Sequence, residues 1–306
     1  MTAAATVREP DATESLPAKQ ARIPQLDGLR GLAILLVILF HYGFAISIPG
    51  SQLFSRLQDC FRMGGYGVDL FFVLSGFLIG GILLDCKASP SYFHTFYLRR
   101  FHRIFPLYYL WLGLYVILAL SSFRYLPASI RVTWSGWRPI VVYALFAQNL
   151  ISKSLQGISA AWLGPLWSLA VEEQFYLLMP LAVRFLPKRR LVQLLVATIL
   201  LSPVLRIAFS RWTHAAQYTA TPLRADALAM GVLLALALRE EGWAERIKQN
   251  LKWLYATIGA LSIGVLCLVL WPNPPAGYPI HVWALSCIDL FFTAAILLAL
   301  TQPHGC

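Results

Sequence analysis

Eight separate stretches of this chain are apolar over a length that suits a bilayer, and that repetition limits the fold more than any other feature. They fall near residues 29–48, 64–84, 104–122, 164–186, 191–209, 223–239, 253–271 and 282–300. About 20 helical residues cross a hydrocarbon core roughly 30 Å thick. Within lipid every backbone N–H and C=O must find a partner inside the protein, which an α-helix supplies along its own length. The pattern predicts an all-α, polytopic transmembrane helix bundle of about eight spans. Composition points the same way: 58% of the 306 residues are apolar and 13% are charged. A soluble domain carries about 25% charged residues, so a soluble enzyme and a disordered chain are both excluded.

Residues 1–25 are polar, contain prolines and lack an apolar h-region near the start. They are expected to form a disordered cytoplasmic tail rather than a signal peptide, with residues 26–306 as a single membrane domain. The run 139–151 is short for a span and is expected to be re-entrant or interfacial. If it does not span and the N-terminus is inside, three clusters become cytoplasmic: Arg99, Arg100 and Arg103; Lys188 to Arg190; and Arg246, Lys248 and Lys252. That arrangement follows the positive-inside bias and accounts for part of the net charge of +11, although the loop bearing Arg124, Arg131 and Arg138 is also basic. No compact basic domain is present to bind nucleic acid. The five cysteines show no CxxC and no paired spacing, so neither a disulfide framework nor a zinc site is expected.

Ionisable groups inside a bilayer are costly and are functional candidates by default. The acids within or bordering apolar segments are Asp69, Glu172, Glu173, Asp226 and Asp289, and the one histidine deep in an apolar run is His41. In LDGLRGLAILLVILFHY, Arg30 and His41 lie eleven residues apart. Eleven steps of about 100° come within roughly 20° of three turns, so both side chains share a helical face about 16 Å apart. Arg30 is then expected near the cytoplasmic surface and His41 near mid-membrane, with Asp27 as a helix cap. An imidazole, which titrates near neutrality, suits a general base. A buried histidine bonded to a neighbouring helix fits the residue alone equally well.

In FYLRRFHRIFPLYYL, Arg100 and Arg103 project from one face, with Pro106 entering the next span. Such a cluster contacts lipid headgroups or captures a phosphorylated ligand. In GGYGVDLFFVLSGFLIGG, Gly76 and Gly80 make a GxxxG for close helix packing, while Asp69 needs an Arg or His partner on a neighbouring helix. In LWSLAVEEQFYLLMPL the adjacent Glu172 and Glu173 point about 100° apart, one towards the bundle and one towards solvent.

These four motifs, in this order and spacing, resemble the acyltransferase-3 family of integral-membrane O-acyltransferases. The matching segments are LDGLRGLAILLVILFH at 26–41, GVDLFFVLSGFLI at 67–79, RRFHRIFPLYY at 99–109 and WSLAVEEQFYLLMP at 167–180, with RADALAMGVLLA at 224–235 matching more weakly. The resemblance implies a multi-pass enzyme of the bacterial inner membrane, N-terminus cytoplasmic. It would transfer an acyl group, often acetyl, from acyl-CoA to a hydroxyl of a carbohydrate, glycan or lipid-linked acceptor. It implies no bound cofactor and no metal, acyl-CoA being a substrate. The family's Arg-x10-His pattern falls on Arg30 and His41, and its Arg-x2-Arg pattern on Arg100 and Arg103. His41, Glu173 and Asp69 become the candidate catalytic residues, and Arg30, Arg100 and Arg103 the candidate acyl-CoA-binding residues. Members usually carry two further membrane helices and a late motif with Ser-Tyr, Leu-Tyr and His, so a C-terminally shortened, inactive member is one alternative expectation. A transporter of an anionic solute is another, since it too would bury charges beside basic mouths.

Overall fold

The computed structural model describes residues 23–43, 61, 63–120, 136–151, 163–209, 219–270 and 280–301. The expected tail therefore lies outside the described residues, apart from Ile23 to Gln25. Among the described residues ten α-helices follow in order: α1 Pro24–Tyr42, α2 Gly67–Asp85, α3 Tyr92–Leu120, α4 Trp137–Ala144, α5 Leu166–Phe185, α6 Lys188–Ala208, α7 Ala225–Ala237, α8 Trp243–Gln249, α9 Leu251–Leu270 and α10 Ile280–Thr301. Short 3-10 turns at Gly64–Tyr66 and Thr221–Leu223 lead into α2 and α7. Among the described residues no strand occurs. The all-α bundle read from the sequence is the fold.

Every one of the eight expected stretches contains a helix, but their reach differs. Among the described residues, five segments are long and apolar enough to cross a membrane: Pro24–Tyr42, Gly64–Asp85, Tyr92–Leu120, Lys188–Ala208 and Trp283–Thr301. The stretch at 223–239 yields only the 13 residues of α7, about 20 Å, because the 3-10 turn and Arg224 occupy its start. Helix α4 has eight residues. At about 12 Å it is far too short to cross, as expected of the 139–151 run.

Two boundaries are corrected. Helix α1 begins at Pro24, which occupies the first turn where a missing N–H costs nothing, with Ile23 as its extended N-cap. Asp27 is therefore not the cap; it lies within the first turn and accepts a hydrogen bond from Arg30 at 3.3 Å. Helix α3 begins at Tyr92, well before the expected span, and continues through Pro106 for 29 residues, about 44 Å. A membrane helix tolerates an internal proline where neighbours re-satisfy the freed carbonyl. The arginine cluster is thus part of the spanning helix rather than a loop before it.

Helix α2 is the axis of the bundle, with 14 of its 19 residues buried. Its glycines explain how closely neighbours approach. A methyl group at Gly76 would meet the Leu228 carbonyl oxygen at 2.1 Å, and one at Gly231 would meet the Val73 carbonyl at 2.2 Å. Helices α2 and α7 therefore touch backbone to backbone, the packing that small residues permit in lipid. On the other side, Gly64 and Gly67 admit α1, whose Leu36 and Ala33 carbonyls stand 2.3 and 2.7 Å from the positions a methyl would take. Helix α1 buries only Leu26 and Ala33, leaving Ile34, Leu35 and Ile38 outward as a lipid-facing side requires.

Polar contacts gather in two layers. At one end Arg239 pairs with Asp85 at 2.7 Å, Lys188 pairs with Glu240, and Lys87 donates to the Leu186 carbonyl at 3.1 Å. At the other end lie Asp69, Arg224, Asp226 and Arg206. The sixteen steps along α2 from Asp69 to Asp85 separate the layers by about 24 Å, a large part of the hydrocarbon thickness.

Candidate active site

The α2–α3–α5 junction unites three of the four sequence motifs. Helix α3 runs antiparallel to α5 and is tied to it by Tyr92, which donates to the Pro180 carbonyl at 3.1 Å, and Tyr97, which donates to the Leu177 carbonyl at 3.0 Å. These bonds set the rotation of α3 and turn Arg100 inward. Its guanidinium stacks over the Tyr176 ring at 4.8 Å and lies 5.8 Å from Phe96. The Tyr176 hydroxyl shares a 2.6 Å hydrogen bond with Ser75 of α2. Glu172, one turn before Tyr176, is buried close to both hydroxyls, and its Oε1 has no hydrogen-bond partner. Glu173 is half-buried with its Oε1 enclosed rather than facing solvent, so both acids of the pair point into the bundle, and it lies in the field of Arg100 and Glu172. Among the described residues no carboxylate closes an ion pair with Arg100 or Arg103.

The depth of this junction differs from the expected surface position. Ser75 lies ten residues from Asp85 along α2, so Arg100 sits about 15 Å inside that end of the bundle. The early start of α3 is the reason. Arg103, one turn further along, is exposed and lines a shallow depression with Leu98, Arg99 and His102.

The second cluster pairs each of its two arginines with an aspartate. Asp69 and Arg224 pair at 2.7 Å with neither side chain exposed. Arg206 of α6 pairs with Asp226 of α7 and donates to the Leu223 carbonyl at 2.7 Å. Ser286 of α10 donates to Asp226 at 2.7 Å, and buried Asp289 faces Asp69 and Asp226. Arg224 is the partner that the sequence required for Asp69. Neither Arg206 nor Arg224 was singled out in the sequence. Both are cations among apolar residues, so the rule that picks out acids in a bilayer would have found them had it been applied to arginine.

A third network fastens the segment after α4. Gln174 donates to the Phe146 carbonyl at 2.7 Å and to Asn149 at 2.9 Å, and Asn149 donates to Thr221 at 2.7 Å. Phe146 adopts a φ of 52° and stacks on Tyr108 at 4.2 Å. Irregular backbone at this depth is sustainable because side chains of α3 and α5 satisfy it.

Helix α1 stands apart from these clusters. Arg30 pairs with Asp27 at 3.3 Å while remaining about one-third exposed. His41 lies in the last turn of α1 and is exposed, not in the middle of the helix, because α1 starts early and ends at Tyr42. Its Nδ1 lies 2.9 Å from the Val37 carbonyl. A carbonyl can only accept, so that contact calls for Nδ1–H and leaves the lone pair on Nε2. The helix is unbroken from Arg30 to His41, which keeps the shared face and the spacing of about 16 Å. Among the described residues no hydrogen bond or ion pair joins His41 to Arg100, Arg103 or Glu173. The levels are nevertheless related. Gly64 abuts α1 at Leu36 and Phe40, one residue before His41, and Ser75 lies eleven residues further along the axis. The imidazole and the Arg100 junction are therefore offset by about 16 Å in depth.

A sequence profile described as an acyltransferase domain, that of acyltransferase-3, matches residues 23–304. The chain belongs to the acyltransferase-3 family. Peptidoglycan O-acetyltransferase OatA of Listeria monocytogenes is 30% identical over 283 residues, covering 81% of this chain and 39% of its own length. O-acetyltransferase OatA of Staphylococcus aureus is 30% identical over 232 residues, covering 70% of this chain and 34% of its own length. The chain thus spans well under half the length of these relatives. No solved structure matches it. The acyltransferase-3 match takes in all four motifs, so the α2–α3–α5 junction, the closed ion pairs and the α1 rim all belong to the family domain.

Proposed function

We propose that this chain is a membrane O-acyltransferase that moves an acyl group, in the simplest case acetyl, from acyl-CoA to a hydroxyl of a glycan or lipid-linked carbohydrate. The family match and the names of the acetyltransferase relatives support the reaction class. The observation that carries the donor is Arg100. It is a cation set well inside the bundle, held by an aromatic ring rather than by a carboxylate in contact, and so it keeps its charge for an incoming phosphate. Arg103 extends the same face, and Arg30 serves the donor from α1.

In this reading the CoA phosphates meet the arginines and the pantetheine arm covers the offset in depth to His41. His41 Nε2 accepts the proton of the acceptor hydroxyl as its oxygen attacks the thioester carbonyl. The tetrahedral intermediate then collapses by breaking the C–S bond, and the CoA sulfur leaves with a proton. The alternative course, in which His41 itself carries the acyl group, uses the same atom. Glu173 balances the field of Arg100 as donor phosphates arrive and leave. Asp69, a catalytic candidate by resemblance, acts instead through Arg224 by fixing α7 against α2 rather than by touching substrate. With the N-terminus cytoplasmic, the Asp85–Arg239 end faces the cytoplasm and the donor enters from there.

Mass spectrometry of cell-envelope glycans with and without the gene tests the proposal. The expected result is loss of O-acetyl groups on deletion and their return with the wild-type gene but not with His41→Ala. An acetylation pattern that ignores deletion would overturn it. A transporter would instead move label across the membrane without any covalent change in a glycan.

A further inference from the structure

We infer that Ser75 and Tyr176 are positioning residues for the donor site, holding the Tyr176 ring as the platform that aims Arg100. The inference rests on the acyl-CoA reading of Arg100 and extends it to two residues that touch no substrate. A free arginine side chain samples many rotamers, and fixing it when a ligand arrives weakens binding. Here the fixing is done in advance. The Tyr176 ring lies 4.8 Å below the guanidinium, and Phe96 flanks it at 5.8 Å. A cation over an aromatic face is attracted without losing its hydrogen-bond donors, so the guanidinium edge stays available for a phosphate. A carboxylate in the same place would have engaged those donors.

The platform is itself anchored. Tyr176 sits on α5, yet its hydroxyl meets Ser75 of the central helix α2 at 2.6 Å, and Glu172 lies beside both hydroxyls. One hydroxyl donates to the other across this bond, and the buried Glu172 carboxylate lies close to both. Ser75 is 8% exposed and lies beside Gly76, where α2 touches α7. It is therefore anchored where the α2 and α7 backbones touch. Burial in lipid makes each of these polar contacts costly to leave unmade, which keeps the ring in one place.

The test uses full-length protein purified in detergent, with acetyl-CoA binding and initial-rate kinetics measured separately. Tyr176→Phe retains the ring but loses the anchor, and Ser75→Ala loses the other half of the same bond. Each is expected to weaken acetyl-CoA binding and raise its KM by about three- to tenfold, the scale of one buried hydrogen bond, with kcat within about twofold. The Ser75→Ala/Tyr176→Phe double variant should be no worse than Tyr176→Phe alone, because both act through one contact. In an Arg100→Ala background the two changes should have no further effect on acetyl-CoA binding. A uniform loss of kcat and stability with KM unchanged would show a merely structural pair and overturn the inference. If Arg100→Ala raises KM while Tyr176→Phe and Ser75→Ala leave it unchanged, the inference fails and the acyl-CoA reading stands. If Arg100→Ala leaves acetyl-CoA binding untouched, both fail together. Should Tyr176→Phe not fold, Ser75→Ala, which removes only one hydroxyl, gives the same discrimination.

Discussion

Two groups of arginines occupy this bundle, and they are treated in opposite ways. Arg206 and Arg224 are buried to 2% and 0% exposure, and each is closed against an aspartate. Arg100 and Arg103 are unclosed, one resting on an aromatic ring and the other exposed. A buried charge with its partner in place is a fastener, because breaking it leaves an uncompensated ion in a medium of low polarity. A charge set in the interior without a contacting counterion is incomplete, and an anionic ligand completes it. In the proposed reading the difference separates residues that hold the bundle from residues that bind the donor, although both groups are arginines on membrane helices or at their ends.

The largest effect should come from opening the closed group. Arg224→Leu, leaving Asp69 buried without its cation, is expected to cost about 3–5 kcal/mol, read as a lowered unfolding midpoint in detergent. Equal stability of variant and wild type would erase the contrast. Next in size is the contact that allows the fastener to form. Gly231→Leu forces side-chain atoms into the Val73 carbonyl, 2.2 Å from where its first carbon would stand, and should destabilise by at least about 1–3 kcal/mol.

The unclosed group should respond in the reverse sense. Arg100→Ala is expected to weaken acetyl-CoA binding by roughly tenfold or more while the unfolding midpoint stays close to wild type, since no ion pair is broken. Calorimetric binding and thermal unfolding on the same preparation check both halves. The smallest effect belongs to the exposed pair at the start of α1. Asp27→Ala removes the partner of Arg30 and should change stability by less than about 1 kcal/mol. A larger loss there would mean that α1 is fastened more like α7 than its exposure implies.

How much of this was visible beforehand depends on what each feature needs. The helices were legible because lipid demands long apolar runs, and Gly76 with Gly80 announced a close approach, but their partner Gly231 did not. The need of Asp69 for a cation could be stated from one residue, whereas the choice of Arg224 depends on how α7 docks on α2. His41 and Arg30 kept their predicted spacing, which is local helix geometry. Their depth did not follow, because Pro24 moved the start of α1 and a helix passing through Pro106 drew Arg100 about 15 Å into the bundle. The Ser75–Tyr176 bond joins residues 101 apart in sequence, and no periodicity could have paired them.

In the proposed reaction this domain uses acyl-CoA as donor and His41 as base. It is tested most directly by purified protein in liposomes given radiolabelled acetyl-CoA and a glycan acceptor, with transfer and donor binding followed side by side. The expected result is label in the glycan with wild type, and a loss of at least about a hundredfold in His41→Ala, which still binds acetyl-CoA as wild type does. His41→Ala transferring label at the wild-type rate, or wild type binding acetyl-CoA no better than Arg100→Ala, would contradict it.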